Sequence, residues 1–342
     1  MAPRDARRTT IIDVARKAGV AISSASAALN GRPGVSDATR ERILGIADDL
    51  GYVPSLRGRS LSSNRAFQVG LVVQRDLDIL EADPFFGAFM GGVVGEIEPR
   101  GYALVLQMST TPEETERHFR SMAANLRVDG VFIDDIRHGD PRIGLMQELR
   151  LPAVAVNADP DFPLPAVRQD ASRAIGALTR HLIGLGHTRI AHVSGPGGYI
   201  HSTQRMIAWQ RALEEAGLPR GPLYEGDFGY RSGEAAADAL MGSPEAPTAV
   251  VCANDLMATG FVRECQDIGL RVPLDVSVTG FDGIALGTYI RPRLTTASTD
   301  PRLLGSTAAR MLLDLIETGG VEDRSIAPAQ PVIRESTAAP AR

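Results

Sequence analysis

The sequence predicts an α/β protein with two unequal parts: a small head of three helices and a large body of doubly wound parallel sheets. Three observations predict this. The 342 residues exceed one ordinary domain. Residues 1–66 hold 11 basic and 6 acidic side chains, whereas residues 67–342 hold 25 and 35. From residue 67 onward, short apolar runs alternate with amphipathic stretches, as in βα units.

The composition excludes several classes of protein. Hydrophobic residues make up 44% and charged residues 23%, which is typical of a globular chain with a sizeable core. No stretch approaches the roughly 18 to 20 apolar residues of a membrane span, and no apolar segment of a secretory signal follows residues 1–10. Cys252 and Cys265 have no zinc-ligand spacing around them. We therefore expect a cytoplasmic protein with no metal, no cofactor and no membrane partner.

The basic head predicts a helix-turn-helix. Thr10 and Asp13 resemble a capping box at the start of a first helix, and Gly19 ends that helix in a turn that needs positive φ. A second helix is predicted over Ile22–Leu29, and Ser36 is predicted to cap a third. Two helices joined by a glycine turn occur in many bundles as well as in DNA-binding proteins, so the spacing alone leaves both open.

The body predicts two sheets with helices on both faces. Seven apolar runs are predicted as buried parallel strands: Val69–Val73, Ala103–Leu106, Gly130–Ile133, Ala153–Val156, Ile190–Val193, Ala249–Cys252 and Val276–Gly280. Four amphipathic stretches are predicted as helices: Pro112–Leu126, Ala171–Leu185, Thr203–Ala216 and Asp255–Asp267. Crossings between two lobes are expected at Asp159–Pro165, 290–300 and 325–331.

Motifs along almost the whole chain carry a resemblance. The head contains TIIDVARKAGV (10–20), ALNG (28–31), VSDATRERI (35–43) and LGYVP (50–54). The body contains GLVV (70–73), DGVFI (129–133), GHTRIA (186–191), ANDLMA (253–258), VPLDVSVTGFD (272–282) and LTT (294–296). In this order they closely resemble the LacI/GalR family of bacterial transcription regulators, whose body is similar to periplasmic sugar-binding proteins.

For the head, the resemblance implies that the second helix enters the major groove of double-stranded operator DNA. It assigns base contacts to Ile22, Ser23 and Ala27, and phosphate contacts to Thr10, Ser24, Asn30, Ser36 and Thr39. The family commonly has arginine at the position of Ala27 and serine at that of Ala21, so its usual base preference is in doubt here.

Residues 55–66 read as a linker. The resemblance implies that they form a hinge helix on DNA, with Leu61 wedged into the minor groove and Arg57 near the phosphates. Gly58 stands where a better helix former is usual, at a cost of about 1 kcal/mol. We thus expect a DNA-binding domain over 1–54, a hinge over 55–66 and an effector-binding and dimerisation domain over 67–342. Within the latter, lobe 1 is expected at about 67–162 and 297–326, and lobe 2 at about 163–296 and 327–342.

Ligands of open α/β sheets bind outside the carboxyl ends of the strands. Candidates there match the effector contacts that the resemblance implies: Phe85, Asn157, Arg205, Phe228, Asn254 and Asp282. Asp282 and Asn254 are expected to bond hydroxyls, Arg205 to donate two hydrogen bonds, and Phe228 to stack on a ring. Asp255 is expected to cap its helix, and core packing is as good an interpretation for Phe85. These side chains are suited to binding a polyhydroxy ring and also to binding a purine. A sugar is therefore favoured as the effector, with a purine as the alternative.

Two function classes follow. The favoured one is a transcription regulator, expected to be a repressor, that binds a palindromic operator as a homodimer under the control of a small-molecule effector. The other is an enzyme or a solute receptor on the same body. No positioned nucleophile and base support catalysis, and a receptor or enzyme has no use for residues 10–61. Residues 336–342 lack a leucine heptad, so a dimer rather than a tetramer is expected.

Overall fold

The computed structural model describes residues 9–53, Ser60, Ser63, 65–75 and 83–341. The chain divides into two compact units, residues 1–67 and 68–342. No helix among the described residues has the length and apolar character needed to cross a membrane.

Residues 9–53 of the first unit contain the helices α1 (Ile11–Ala18), α2 (Ile22–Leu29) and α3 (Asp37–Asp49). The backbone amide and hydroxyl of Thr10 both donate to the carboxylate of Asp13, at 3.0 and 2.7 Å, which fixes the start of α1. Gly19 follows α1 with φ of 63°, a left-handed conformation that glycine adopts without strain. The predicted helix-turn-helix is therefore confirmed.

A small apolar core holds these helices together. Its fully buried members come from all three helices: Val14, Ala15, Ala18, Ala25, Ala28, Ile43 and Ala47. Most of them are alanines, so little apolar area is buried per residue and the helices approach closely. The head is consequently a unit of modest stability.

The second unit contains a parallel six-stranded sheet, which with its helices we call the first lobe. Its strands, in chain order, are β1 (Gln68–Gln74), β2 (Ala103–Ser109), β3 (Gly130–Ile133), β4 (Ala153–Val156), β5 (Ala166–Arg168) and β11 (Arg324–Ser325). Their spatial order is β11-β5-β4-β3-β1-β2. β2 lies at an edge and is half exposed, although a buried strand was predicted there.

Four helices cover this sheet: α4 (Pro84–Ile97), α5 (Pro112–Ala124), α6 (Arg142–Leu149) and α12 (Pro301–Thr318). A short 3₁₀ helix, Glu98–Arg100, follows α4. α4 and α12 pack against each other although they lie far apart along the chain. A segment late in the chain thus completes the first lobe, whereas Ser336 and Ala338 bond to the strand Ser277–Thr279 of a second sheet.

A parallel four-stranded sheet forms the second lobe. Its strands are β6 (Ile190–Ser194), β7 (Leu223–Glu225), β8 (Ala249–Cys252) and β9 (Ser277–Thr279), in the spatial order β7-β6-β8-β9. Its helices are α7 (Ser172–Gly184), α8 (Ile200–Glu215), α9 (Tyr230–Met241), α10 (Asp255–Asp267) and α11 (Leu286–Tyr289). Two parallel sheets with helices confirm the predicted α/β class.

The chain passes between the lobes at three places. Two of the passages each contain one short strand, β10 (Thr296–Ser298) in one and β12 (Gln330–Val332) in the other. These two strands pair with each other in antiparallel orientation. The other follows Arg168, not the expected Asp159–Pro165 segment, because β5 still pairs with β4 in the first sheet. The expected lobe border at about residue 163 therefore lies one strand too early. A three-residue strand is too short to show periodicity in the sequence.

Candidate functional site

The head presents an exposed face on α2. Ile22 is 50% exposed and Ser23 is exposed, while Ser24 and Ala27 are half-buried. Ala25 and Ala28, on the opposite face, are buried in the core of the head. Ile22 and Ser23 lie in the first turn, so an apolar and a hydroxyl side chain project together from the start of this helix.

The hydroxyl and amide side chains assigned to phosphates lie around α2. Thr10, Asn30 and Ser36 are exposed, and Thr39 is half-buried. Ser36 was expected to cap the backbone amides of α3 with its side chain. Its hydroxyl instead lies 2.9 Å from the hydroxyl of Thr39 and forms no bond to those amides. Asn30 donates from Nδ2 to the Ser26 carbonyl at 2.8 Å, at the end of α2. Arg57 and Leu61 lie outside the described residues.

A cavity of about 60 Å³ lies between the two lobes of the body. All six candidate effector residues line it: Phe85, Asn157, Arg205, Phe228, Asn254 and Asp282. Phe85 and Asn157 belong to the first lobe, and the other four belong to the second. The carboxyl ends of both sheets thus meet at one site, as expected for parallel sheets.

Arg205 and Asp282 bring a guanidinium and a carboxyl group to the cavity. Arg205 lies in the second turn of α8, which begins at Ile200 rather than at the predicted Thr203. Its guanidinium donates from Nη1 to the Ala253 carbonyl at 2.7 Å and lies 4.1 Å from the ring centre of Phe281. Its Nε is buried without a hydrogen-bond partner among the described residues. The guanidinium therefore retains donors for a ligand.

Asp282 follows β9 with φ of 114°, in the left-handed region that non-glycine residues rarely adopt. Its backbone holds it there, because its amide donates to the Ala297 carbonyl and its carbonyl accepts from Thr299. Burial raises the pKa of the Asp282 carboxyl well above its usual value, although nearby Arg205 opposes the shift. A strained backbone at a carboxyl group that lines a cavity is typical of a functional position.

Asn254 and Phe228 are already in contact with other residues of the protein. Asn254 donates from Nδ2 to the Phe228 carbonyl at 2.8 Å and accepts from the Met257 amide at 3.0 Å, so its amide atoms are already hydrogen-bonded. The Phe228 ring is 4% exposed, with the Arg75 guanidinium 5.2 Å and the His201 ring 5.3 Å from its centre. Asn254 therefore positions Phe228, and this ring is covered by protein in the closed cleft.

Asn157 and Phe85 complete the side of the first lobe. Asn157 follows β4 with φ of 56° and accepts from the Gln169 amide at 2.9 Å. Phe85 stands at the start of α4, where the Asp83 carboxylate caps the helix, and its ring stacks on Phe89 at 6.0 Å. Phe85 thus contacts both the cavity and the packed side of α4.

Sequence reasoning missed five polar residues of this cavity: Arg75, Asp83, Asp134, Asp135 and His201. Arg75 follows β1 and Asp134 follows β3, so the rule that identified Asn157 after β4 applies to both. The sequence FIDD (residues 132–135), in which an apolar strand is followed by two aspartates, could have indicated that these residues line the site.

Arg75 and Asp135 form a buried ion pair. The guanidinium donates from Nε and Nη2 to the two carboxylate oxygens of Asp135. Burial alone would raise the pKa of Asp135, but the adjacent Arg75 outweighs burial and lowers it. Burial also lowers the pKa of His201, so its imidazole is neutral at physiological pH.

Backbone hydrogen bonds also join the lobes beside the cavity. The amide of Ile200 donates to the Ile136 carbonyl at 2.9 Å, and the amide of His138 donates to the Gly198 carbonyl at 3.2 Å. Arg137 lies over the Tyr199 ring at 5.1 Å. The segment after β3 therefore contacts the segment after β6, and the cleft is closed in this structure.

Asp255 caps nothing through its side chain, in contrast to the expectation. Asn254 is the cap of α10, whereas the Asp255 carboxylate accepts from the Thr296 hydroxyl and from the Ile284 amide. Asp255 thereby connects α10 to the segments on either side of α11. His187 and His192 have structural contacts: His187 hydrogen-bonds Thr248 and Ala338, and the His192 ring stacks on Trp209.

Comparison with known proteins gives matches along nearly the whole chain. Residues 10–55 match the bacterial regulatory proteins of the lacI family, and residues 179–337 match a periplasmic binding protein-like domain. The HTH-type transcriptional repressor PurR of Aliivibrio fischeri (strain MJ11) is 34% identical over 334 residues, which cover 96% of this chain and 98% of that protein. PurR of Vibrio vulnificus (strain CMCP6) is 34% identical over 313 residues, which cover 90% and 92%.

Solved structures agree with these matches. The transcriptional regulator CelR in complex with cellobiose has a TM-score of 0.74 and 31% identity, covering 96% of this chain and all of that chain. The lac repressor dimer bound to operator and the anti-inducer ONPF has a TM-score of 0.83 and 26% identity, covering 97% and all of that chain. These relatives are transcription regulators and not enzymes. The chain belongs to the lacI family of bacterial regulatory proteins and is a DNA-binding transcription regulator.

Proposed function

We propose that the chain is a repressor that binds a palindromic operator as a homodimer, and that a small polar effector in the cleft between the lobes controls its affinity for DNA. The observation that carries this proposal is the convergence of six residues, chosen from the sequence, on one cavity between two lobes. Ligand binding at such a place changes the lobe arrangement, which is the two-state element that allosteric control requires.

The head supplies the DNA contacts. Ile22 and Ser23 are exposed at the start of α2, where an apolar side chain meets a thymine methyl and a hydroxyl bonds a base edge. Thr10, Ser24, Asn30, Ser36 and Thr39 supply hydroxyl and amide groups for phosphates, which fix register rather than sequence. For Leu61 and Arg57 the hinge roles rest on the family resemblance alone.

Pairing of two chains is supported by apolar side chains left exposed on the body. Leu286, at the start of α11, is 37% exposed, and Tyr289, at its end, is 76% exposed. Two large apolar side chains exposed on one short helix favour a protein partner over solvent. A second copy of this chain is the partner that a palindromic operator requires.

A sugar or sugar derivative is the favoured effector, and a purine is the alternative. Arg205 and Asp282 supply donors and an acceptor for neighbouring hydroxyl groups. A relative of similar fold is described as a complex with cellobiose. The covered ring of Phe228 argues against a purine, because a flat base needs an open aromatic face for stacking.

The test is selection of duplex DNA from a random library by the full chain, followed by affinity measurement on the selected sequence. We expect a palindrome, and we expect Leu61→Ala to weaken specific binding while non-specific binding persists. Arg205→Gln is the matched control, since a cleft residue should leave operator affinity without effector unchanged. Failure to select any sequence would overturn the proposed function, and unchanged specific affinity in Leu61→Ala would refute the wedge.

A further inference from the structure

The carboxylate of Asp134 is the polar group of the cavity that the structure leaves least explained. Asp134 is 4% exposed and lines the cavity at the end of β3. Both of its carboxylate oxygens are buried and have no hydrogen-bond partner among the described residues. A buried carboxylate whose acceptor positions are all empty is costly unless something else donates to it.

The two neighbouring guanidiniums, those of Arg75 and Arg142, are already bonded to other groups. Arg75 is bonded to Asp135 and lies 3.7 Å from Asp83. Arg142 donates to the Asp140 carboxylate at 2.6 Å and to the backbone carbonyl of Asp134 at 2.8 Å, so it approaches the Asp134 backbone and not its carboxylate. Both guanidiniums lower the pKa of Asp134 through their charge, but neither donates a hydrogen bond to its carboxylate.

Carboxyl groups outnumber guanidiniums in the lining of the cavity. Its described residues include four carboxyl groups, those of Asp83, Asp134, Asp135 and Asp282, and two guanidiniums, those of Arg75 and Arg205. Because Arg75 pairs with Asp135, three carboxyl groups remain beside Arg205 alone. A cationic ligand would favour the ionised form of such carboxyl groups, whereas a phosphorylated or carboxylated ligand would bring a further negative charge to them.

We propose that the effector carries a protonated amino group that binds the carboxylate of Asp134, and that its hydroxyl groups face Arg205 and Asp282, so that the ligand class is a polyhydroxylated amine such as an amino sugar. This inference rests on the proposed function of the cleft and specifies its ligand. An ammonium group donates up to three hydrogen bonds, which a single hydroxyl cannot match. It also brings a cation to a lining in which carboxyl groups outnumber guanidiniums.

Burial raises the pKa of Asp134, and the adjacent Asp135 raises it further. A cation bound at this carboxylate would stabilise its ionised form and so gain affinity from the lost repulsion. A neutral sugar would leave that repulsion in place. The cleft therefore discriminates by charge as well as by hydroxyl pattern.

The test uses matched trios that differ at one substituent: D-glucosamine, D-glucose and N-acetyl-D-glucosamine, with the corresponding galactose and mannose compounds, and glucosamine 6-phosphate. The readout is the thermal unfolding midpoint of the full chain at pH 7. We expect at least one free amine to raise the midpoint, while its parent sugar and its acetylated form have no effect. The phosphate ester should bind more weakly than the free amine.

Asp134→Asn tests the assigned residue, with Asp161→Asn as the control at an exposed position of the same lobe. The asparagine side chain has nearly the same size as that of Asp134 without the charge, so the variant should fold with an unchanged or higher midpoint. We expect the affinity for the stabilising amine to fall about 10- to 100-fold in Asp134→Asn and not in Asp161→Asn.

Three results overturn the inference: a neutral sugar or purine that stabilises the chain as well as any amine, equal affinity of an amine for Asp134→Asn and the unchanged chain, or no response to any amine. The duplex selection keeps these failures separate from a failure of the proposed function. A selected palindrome without an amine response rejects the amine and keeps the regulator.

Discussion

Replacing Asp255 by asparagine is predicted to change how the stability of the second lobe depends on pH. The Asp255 carboxylate is buried, and it accepts hydrogen bonds from the Thr296 hydroxyl and the Ile284 amide. Burial outweighs these bonds and raises its pKa from 3.8 to about 7. Asparagine has the same shape and cannot ionise, so the comparison isolates the cost of the buried charge.

The direction in which stability changes with pH follows from the number of protons that the folded and unfolded states bind. Between pH 3.8 and about 7 the folded state keeps the proton on Asp255 that the unfolded state has lost. This carboxyl therefore costs stability as the pH rises through that window, and the cost is complete above pH 7. At 1.36 kcal/mol per pKa unit, raising the pH from 5 to 8 removes about 2 to 3 kcal/mol through Asp255 in the original chain, a contribution that the variant lacks.

Urea unfolding at pH 5, 6, 7 and 8 measures this effect. The chain has one tryptophan, Trp209, buried in the second lobe, so its fluorescence reports the unfolding of the lobe that contains Asp255. We expect the stability of Asp255→Asn relative to the original chain to rise by about 2 to 3 kcal/mol from pH 5 to pH 8. Asp267→Asn, at the exposed end of the same helix, is the control. Parallel pH curves for Asp255→Asn and the original chain would refute the reasoning.

Three further predictions concern the head, the cleft and the pairing of chains. Gly19→Ala should lower the stability of the head by about 1 kcal/mol, since φ is 63° there, and operator affinity should fall with it; an unchanged melting curve would contradict this. Gly195→Ala places a methyl where the Phe228 ring lies, so calorimetry should show a loss of about 1 to 3 kcal/mol in the body, and an undisturbed midpoint would argue against the packing. Tyr289→Asp should give monomers in sedimentation at micromolar concentration, whereas a persistent dimer would place the interface elsewhere.

Much of the fold could be predicted because its signals are local. Seven of the strands are apolar runs long enough to stand out, and Gly19 ends α1 by a conformation that the residue type itself indicates. β5, β7 and β11 have two or three residues each, so neither alternation nor length distinguishes them from loops. The misplaced passage after Arg168 follows from this, because it required recognition of β5.

The site could be predicted to the level of position but not of role. Strand ends identified Asn157, Asn254 and Asp282, and all three line the cavity. The hydrogen bonds of Asn254 to Phe228 and Met257 depend on the tertiary structure, so the local sequence pattern could not predict them. The same holds for the pairing of Arg75 with Asp135, which joins side chains 60 residues apart and leaves Asp134 without a partner among the described residues.

The central claim is that the cleft and the operator are energetically coupled. The most direct test is the affinity of the full chain for its selected operator with and without compounds from a panel of sugars, amino sugars and purines, in the original chain and in Arg205→Gln. We expect one compound class to change operator affinity by about 5- to 150-fold in the original chain and to have no effect in the variant. A compound that changes both affinities equally, or one that stabilises the body without changing operator affinity, would contradict the account.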